Sequence, residues 1–127
     1  MTTTDSEPQQ DNACRARVVL GIVGDKWSLL VVRNLRHGPR RFTELKRDID
    51  GISQRMLTVT LRSLERDGIL TRTVYNVMPP HVSYELTPMG KTLREATAPL
   101  LEWSIAHLTR IDAARAEYDG RAETPPA

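Results

Sequence analysis

The sequence predicts a mainly α-helical fold with one small β-hairpin. Three observations point there. Four segments between residues 12 and 67 space their apolar side chains three and four positions apart, with capping residues or glycines at their ends. Two β-rich runs, "LTRTVY" and "HVSYEL", then flank "NVMPP". Thr87 and Pro88 combine a helix cap with a proline at the first helical position, opening a long C-terminal helix.

Residues 1–11 are polar and acidic without periodicity, which predicts a disordered arm. Over residues 12–23, Val18, Val19, Ile22 and Val23 form the apolar side of a first helix. Asp25 suits the N-cap of "KWSLLVVRNLRH", a second helix stopped by Gly38 and Pro39, with Trp27, Leu30, Val31 and Leu35 toward a core. "RRF" reads as a brief extended link. Thr43 can cap "ELKRDID", a short third helix ending near Gly51. Ser53 caps a fourth helix, closed by Gly68. A glycine-containing turn before the last of these helices matches a helix-turn-helix arrangement, in which the second helix of the pair is presented outward. The hairpin follows directly on that helix. Residues 88–117 are predicted helical, with Pro99 either kinking the helix or dividing it. Residues 120–127, "GRAETPPA", are expected to form a disordered tail.

At 127 residues and 14.4 kDa the chain fits one domain. Its formal charge is only +2, yet ten Lys/Arg against five Asp/Glu fall within residues 33–72. Such a stretch suits a polyanion or is simply a solvated face. The longest apolar run, residues 18–24, is too short for a membrane span, so a soluble cytoplasmic protein is expected. A single cysteine, Cys14, and three scattered histidines give no disulfide within the chain and no metal-ligand spacing, and no cofactor is expected. No nucleophile elbow, HExxH or dinucleotide fingerprint is present, and "GIVGDK" has two residues between its glycines where a phosphate loop needs four. The chain is therefore not expected to be an enzyme.

At 100° per residue, Leu57, Leu61 and Leu64 share one sector of the fourth helix, with Thr60 beside them. Opposite fall Arg55, Val59, Arg62 and Arg66, with Thr58 on the flank and Ser53 and Gln54 in the first turn. Arg pairs bidentately with guanine, Gln with adenine, and a Thr or Val methyl meets the thymine methyl. Ser53, Gln54, Arg55, Thr58 and Val59 thus form a base-reading set, while Arg62 and Arg66 stand nearer phosphates. A solvated helix face also accepts three arginines. An interaction module binding another protein would show aromatic or leucine anchors there instead. Arg72 and the hairpin tip, with Asn76, Pro80 and His81, can reach a neighbouring groove or backbone. Leu93, Leu100, Leu101, Trp103, Ile105, Leu108 and Ile111 are more apolar side chains than one helix needs against so small a domain. They suit a second subunit, or they cover the hairpin and first helix.

The chain resembles the HxlR-type winged helix-turn-helix regulators of bacteria, relatives of the MarR group. The resemblance is carried by Cys14, "GDKW" at 24–27, "FTEL" at 42–45, "ISQRMLTVTLRSLERDGI" at 52–69, the "PP" at 79 and 80, "YELTPMG" at 84–90 and Trp103. It implies a winged helix-turn-helix domain over residues 12–108, with 109–119 ending a C-terminal dimerisation helix. It further implies a homodimer whose first and last helices meet, with Val18, Leu100, Leu101, Trp103, Ile105 and Leu108 as interface candidates. The partner would be double-stranded DNA at a pseudo-palindromic operator in the nucleoid, with Arg41 and Thr43 as further contacts. Family members usually repress and some activate. The wing carries His81 where the family often has arginine, and Arg15 follows the cysteine where proline is common.

Several members sense oxidants, quinones or aldehydes at the position of Cys14. A helix start and the neighbouring Arg15 and Arg17 favour the thiolate. Any disulfide must then join two subunits or a small thiol. Cys14 read as a small packing residue is the alternative, and a non-covalent effector bound between helices is the rival input.

Overall fold

The computed structural model describes residues 12–123, with side chains through Arg121. The arm expected at 1–11 and residues 124–127 of the expected tail lie outside the described residues. Helix α1 (Arg17–Gly24) follows a helical stretch at 12–15, and bonds from Ala16 N to Asn12 O and Leu20 N to Ala16 O, both 2.9 Å, run across the junction. Then come α2 (Ser28–Asn34), β1 (Arg40–Arg41), α3 (Phe42–Asp48), α4 (Gln54–Arg66), β2 (Leu70–Tyr75), β3 (His81–Leu86) and α5 (Pro88–Glu123).

Several boundaries differ from the sequence expectation, each for a local reason. The carboxylate of Asp25 accepts from Ser28 N at 2.9 Å and Ser28 Oγ at 2.5 Å, so regular helix begins at Ser28 rather than Lys26. Thr43 is not a cap. Helix α3 starts one residue before it, because Glu44 reaches back to accept from Arg41 N at 2.9 Å and leaves Thr43 inside the first turn. "RRF" is not only a link: Arg40 and Arg41 pair with Tyr84 and Ser83, making the hairpin a three-stranded antiparallel sheet in the order β1-β3-β2. Pro99 does not divide α5, and the helix runs to Glu123, so residues 120–123 are helical instead of a disordered tail. "AARAEY" and "RAE" are strong helix formers, which carries the helix past Glu117.

The core lies where α2, α3 and α4 meet the sheet. Val31, Val32, Leu35, Leu45, Ile49, Leu57, Leu61 and Leu64 are buried from the helices, and Leu70, Tyr84 and Leu86 from the strands. Each fully buried leucine contributes on the order of 1.5–3 kcal/mol. By contrast α1 has no fully buried residue: Ile22 packs against the core half-buried, and Val18, Val19 and Leu20 are exposed.

One junction fastens α5 to the end of α4. Gly68, at φ +76°, turns the chain after α4, and Ile69 N donates to Leu64 O at 2.9 Å. Thr87 N donates to Ile69 O at 3.0 Å, and Thr87 Oγ1 donates to Gly68 O at 2.6 Å with Ile69 O 3.1 Å away. Thr87 Oγ1 also accepts from Gly90 N at 3.0 Å. Gly90 sits so close that a Cβ there would fall 2.0 Å from Ile69 O. On β1 and α3, Arg40 bonds Asp48 and approaches Glu44, while Arg47 Nε donates to Asp48 at 3.1 Å. The hydrogen bond from Arg47 chiefly holds Asp48 below its ordinary carboxylate value; burial opposes it, and the charges of Arg47 and Arg40 reinforce it.

Gly90→Ala is expected to cost on the order of 1–3 kcal/mol in urea unfolding, since backbone must move; an unchanged midpoint would contradict the close approach. Because Asp48 titrates lower when folded, its contribution is present above the unfolded carboxylate range and is lost as pH falls through the lowered value. Asp48→Asn should therefore flatten the acid side of the stability–pH curve and leave its alkaline side unchanged in shape.

Candidate nucleic-acid interface

Local sequence sets how α4 is presented. Gly51, at φ +83°, makes the turn before it, against Trp27, whose ring edge lies 3.8 Å from where a Cβ would stand. Ser53 then caps the helix, its Oγ accepting from Met56 N at 3.0 Å. Leu57, Thr60, Leu61 and Leu64 are buried, and these residues fix the helix to the core.

The opposite side is open. Arg55, Arg62 and Arg66 are exposed, and Val59 is 51% exposed between them. Thr58 donates its hydroxyl to Gln54 O at 2.9 Å, which leaves its methyl for any outside partner. Gln54 shares a concavity with Phe42, Thr43, Lys46 and Arg47 of α3. On another flank, Thr58 and Arg62 border a cleft with Glu65, Arg72 and Tyr84. Val59 and Arg66 also border a cleft against Val18 and Ile22, so α1 flanks the outward side of α4. The structure thus gathers Thr43, Gln54, Thr58, Arg62 and Arg72 around one helix.

Arg72 belongs to β2, and the other hairpin candidates lie at and beyond its far end. Asn76 and Pro80 are exposed at the hairpin tip, and Met78 beside them is 93% exposed. His81 stacks on Tyr75 with ring centroids 4.7 Å apart, and its Nδ1 lies 3.3 Å from Pro79 O. Arg41 is exposed on β1, beside Thr43 at the start of α3.

Among the described residues, Arg55, Arg62, Arg66 and Arg72 make no ion pair, whereas Arg40 and Arg47 are joined to Asp48. Exposed ion pairs contribute little to folding, so unpaired guanidiniums cost the fold little and leave a positive field outside it. Lys46 and Arg47 were missing from the sequence-derived set. The signal was present: Leu45 and Ile49 point inward, four residues apart, which turns Lys46 and Arg47 outward.

The remaining candidates lie elsewhere. Cys14 is exposed. On α5, Leu101 is half-buried and Leu100, Trp103, Ile105 and Leu108 are each about half exposed, with Trp103 stacked on His107 at 4.2 Å. No helix among the described residues is long and apolar enough to cross a membrane.

The model of the HxlR-like helix-turn-helix family matches residues 22–112. The chain belongs to this family. It is 43% identical over 104 residues to the HTH-type transcriptional regulator YtfH of Escherichia coli, across 82% of each chain. The solved structure of the transcriptional regulator ytfH from Salmonella typhimurium matches with a TM-score of 0.73 at 40% identity, over 80% of this chain and 90% of that one. The redox regulator HypR in its oxidised form matches at a TM-score of 0.68 and 40% identity, over 73% and 96%. The fold is that of a winged-helix transcriptional regulator of the HxlR type, with α3 and α4 as the helix-turn-helix and β2–β3 as the wing.

Two substitutions at one position separate stability from binding. Ser53→Ala should destabilise the protein by about 1 kcal/mol through loss of the cap. Ser53→Asp keeps a capping oxygen and should hold thermal stability near wild type, while its negative charge weakens DNA binding in a gel-shift or anisotropy titration. Equal DNA affinity for Ser53→Asp and wild type would remove the first turn of α4 from the interface.

Proposed function

We infer that the protein is a homodimeric, sequence-specific repressor that lays α4 of each subunit in a major groove. The observation that carries this is the outward side of α4, where three arginines with no ion pair among the described residues stand with Gln54, Thr58 and Val59 on a helix anchored by leucines. Ser53, Gln54, Arg55, Thr58 and Val59 read base edges. Arg62, Arg66 and Arg72 hold phosphates, with Arg41, Thr43 and the wing residues Asn76, Pro80 and His81 as outer contacts. A pseudo-palindromic operator follows from two-fold symmetry, its half-sites about one helical turn, ~34 Å, apart.

The dimer reading is supported by exposed apolar surface on α1 and α5. Val18 on α1 is 70% exposed, and Leu100, Trp103, Ile105 and Leu108 are open along α5, with Leu101 beside them. Bound over a promoter in the nucleoid, such a dimer represses by occupancy.

One observation favours a redox input. Cys14 is exposed on the helical stretch before α1, and the redox regulator HypR shares the fold at 40% identity. Two Cys14 thiols from two subunits would lose two electrons and two protons to an oxidant such as diamide, forming one intersubunit disulfide. A small electrophile would instead be attacked by the thiolate.

DNA selected from a random pool by the protein supplies the operator for the decisive titrations. Arg55→Ala should cost on the order of 1–3 kcal/mol on that site and relax preference at one base pair. Arg72→Ala should weaken cognate and random DNA alike and reduce the salt slope by about 0.9. Equal losses for Arg55→Ala on cognate and random DNA would end its base-reading role. Diamide should shift wild type, but not Cys14→Ser, to a dimer band on non-reducing gels and change DNA affinity only in wild type. The same response in both proteins, or none in either, would contradict a sensor at Cys14.

A further inference from the structure

The tip of the hairpin is apolar and uncharged. From Thr73 to Tyr84 the sequence holds no Lys, Arg, Asp or Glu. Met78 is 93% exposed, and Val74, Tyr75 and Val77 are each about half exposed. Single apolar residues on a surface need no explanation, but these four cluster at one end of one hairpin. The backbone that carries Met78 is also restrained. Pro79 and Pro80 fix their own φ and hold the residue before each to extended conformations. Below the loop of residues 76–80, Tyr75 pairs with His81 across the strands, and the two rings stack. A projection restrained in this way loses little backbone freedom when it enters a partner.

We propose that Met78 is an apolar wedge that enters the minor groove beside the one α4 reads, partly unstacks one base step and bends the operator. The inference rests on reading α4 as the helix in the major groove, and it adds a second source of sequence preference. Reach sets the place. Arg72 on β2 shares a cleft with Thr58 and Arg62 of α4. From there β2 runs on to Tyr75, three residues or about 10 Å, and Met78 lies beyond it, within about 20 Å of Arg72. Half a turn of duplex is about 17 Å, the axial step from a major groove to the adjacent minor groove. Side-chain type sets the contact: a tip bearing Lys or Arg would hold phosphates, whereas methionine and proline are side chains that wedge between base pairs. Unstacking costs least at TA and CA/TG steps, so Met78 selects a flexible step without reading its hydrogen-bonding edges. Each subunit contributes one such step, about five base pairs from the centre of its half-site.

The test measures bending of the selected operator by circularly permuted gel shift, with full-length wild type, Met78→Leu, Met78→Ala and Met78→Lys. Wild type should bend the site by at least about 20°. Met78→Leu should keep that bend. Met78→Ala should lose at least about half of it and bind the operator about three- to tenfold more weakly, with unchanged thermal unfolding. Met78→Lys should leave the DNA straight and steepen the salt dependence by about 0.9 per wing. Replacing the flexible step by an A-tract should weaken wild type severalfold more than Met78→Ala. An unbent wild-type complex, a bend that survives Met78→Ala or Met78→Lys, or equal sensitivity of wild type and Met78→Ala to the A-tract would overturn the wedge. Arg55→Ala separates this proposal from the α4 reading. If Arg55→Ala relaxes base preference while wild type leaves its operator straight, α4 reads the DNA and the wedge alone is wrong.

Discussion

The hydrogen bonds of Thr87 are the constraint on which the other features rest. They tie the first turn of α5 to the peptide that ends α4, and Gly90 lets the α5 backbone come down onto Ile69 where any side chain would hold it away. The outward side of α4 and the apolar side of α5 therefore belong to one connected piece. If a second copy docks along α5, the separation and direction of two α4 helices follow from the same junction. A small distortion at Thr87 would move α4 relative to α5, which is the kind of coupling by which a regulator converts a change at one end into a change at the other.

Arginine use follows the same division of labour. Arg40 is held between β1 and α3 by Asp48 and Glu44, and Arg36 closes the end of α2 on a carbonyl. These are structural cations. Among the described residues Arg55, Arg62, Arg66 and Arg72 have no ion-pair partner, although Glu65 stands in the cleft that Arg62 and Arg72 share. Folding gains little from exposed ion pairs, so the absence of partners is cheap for stability and consequential for the surface potential.

Most of the architecture was legible because its signals are local. Ser53, Gly68 and the leucines at 57, 61 and 64 specify α4 by capping, turn geometry and periodicity, all within one helix. Thr87 and Pro88 likewise announced α5. What escaped depended on partners distant in sequence. Arg40 and Arg41 form a strand only because β3 offers an edge more than 40 residues later, at Ser83 and Tyr84. The cap of α3 went to Arg41 rather than Thr43 because Glu44 competes for the backbone N–H. Pro99 could not be resolved from sequence, since a proline's effect depends on what packs around the helix. In the candidate interface the outward-facing set was readable from helical angles, but that Lys46 and Arg47 share a concavity with Gln54 depends on how the turn at Gly51 sets α3 beside α4.

The central claim is that α4 meets DNA by its outward side, and NMR chemical-shift mapping of the labelled protein titrated with its selected operator tests it most directly. The largest changes should fall on Ser53, Gln54, Arg55, Thr58 and Val59, on Lys46 and Arg47, and on Arg62 and Arg72, with the buried Leu57, Leu61 and Leu64 moving little. Changes concentrated on α1 and α5 with α4 unperturbed would contradict the interface.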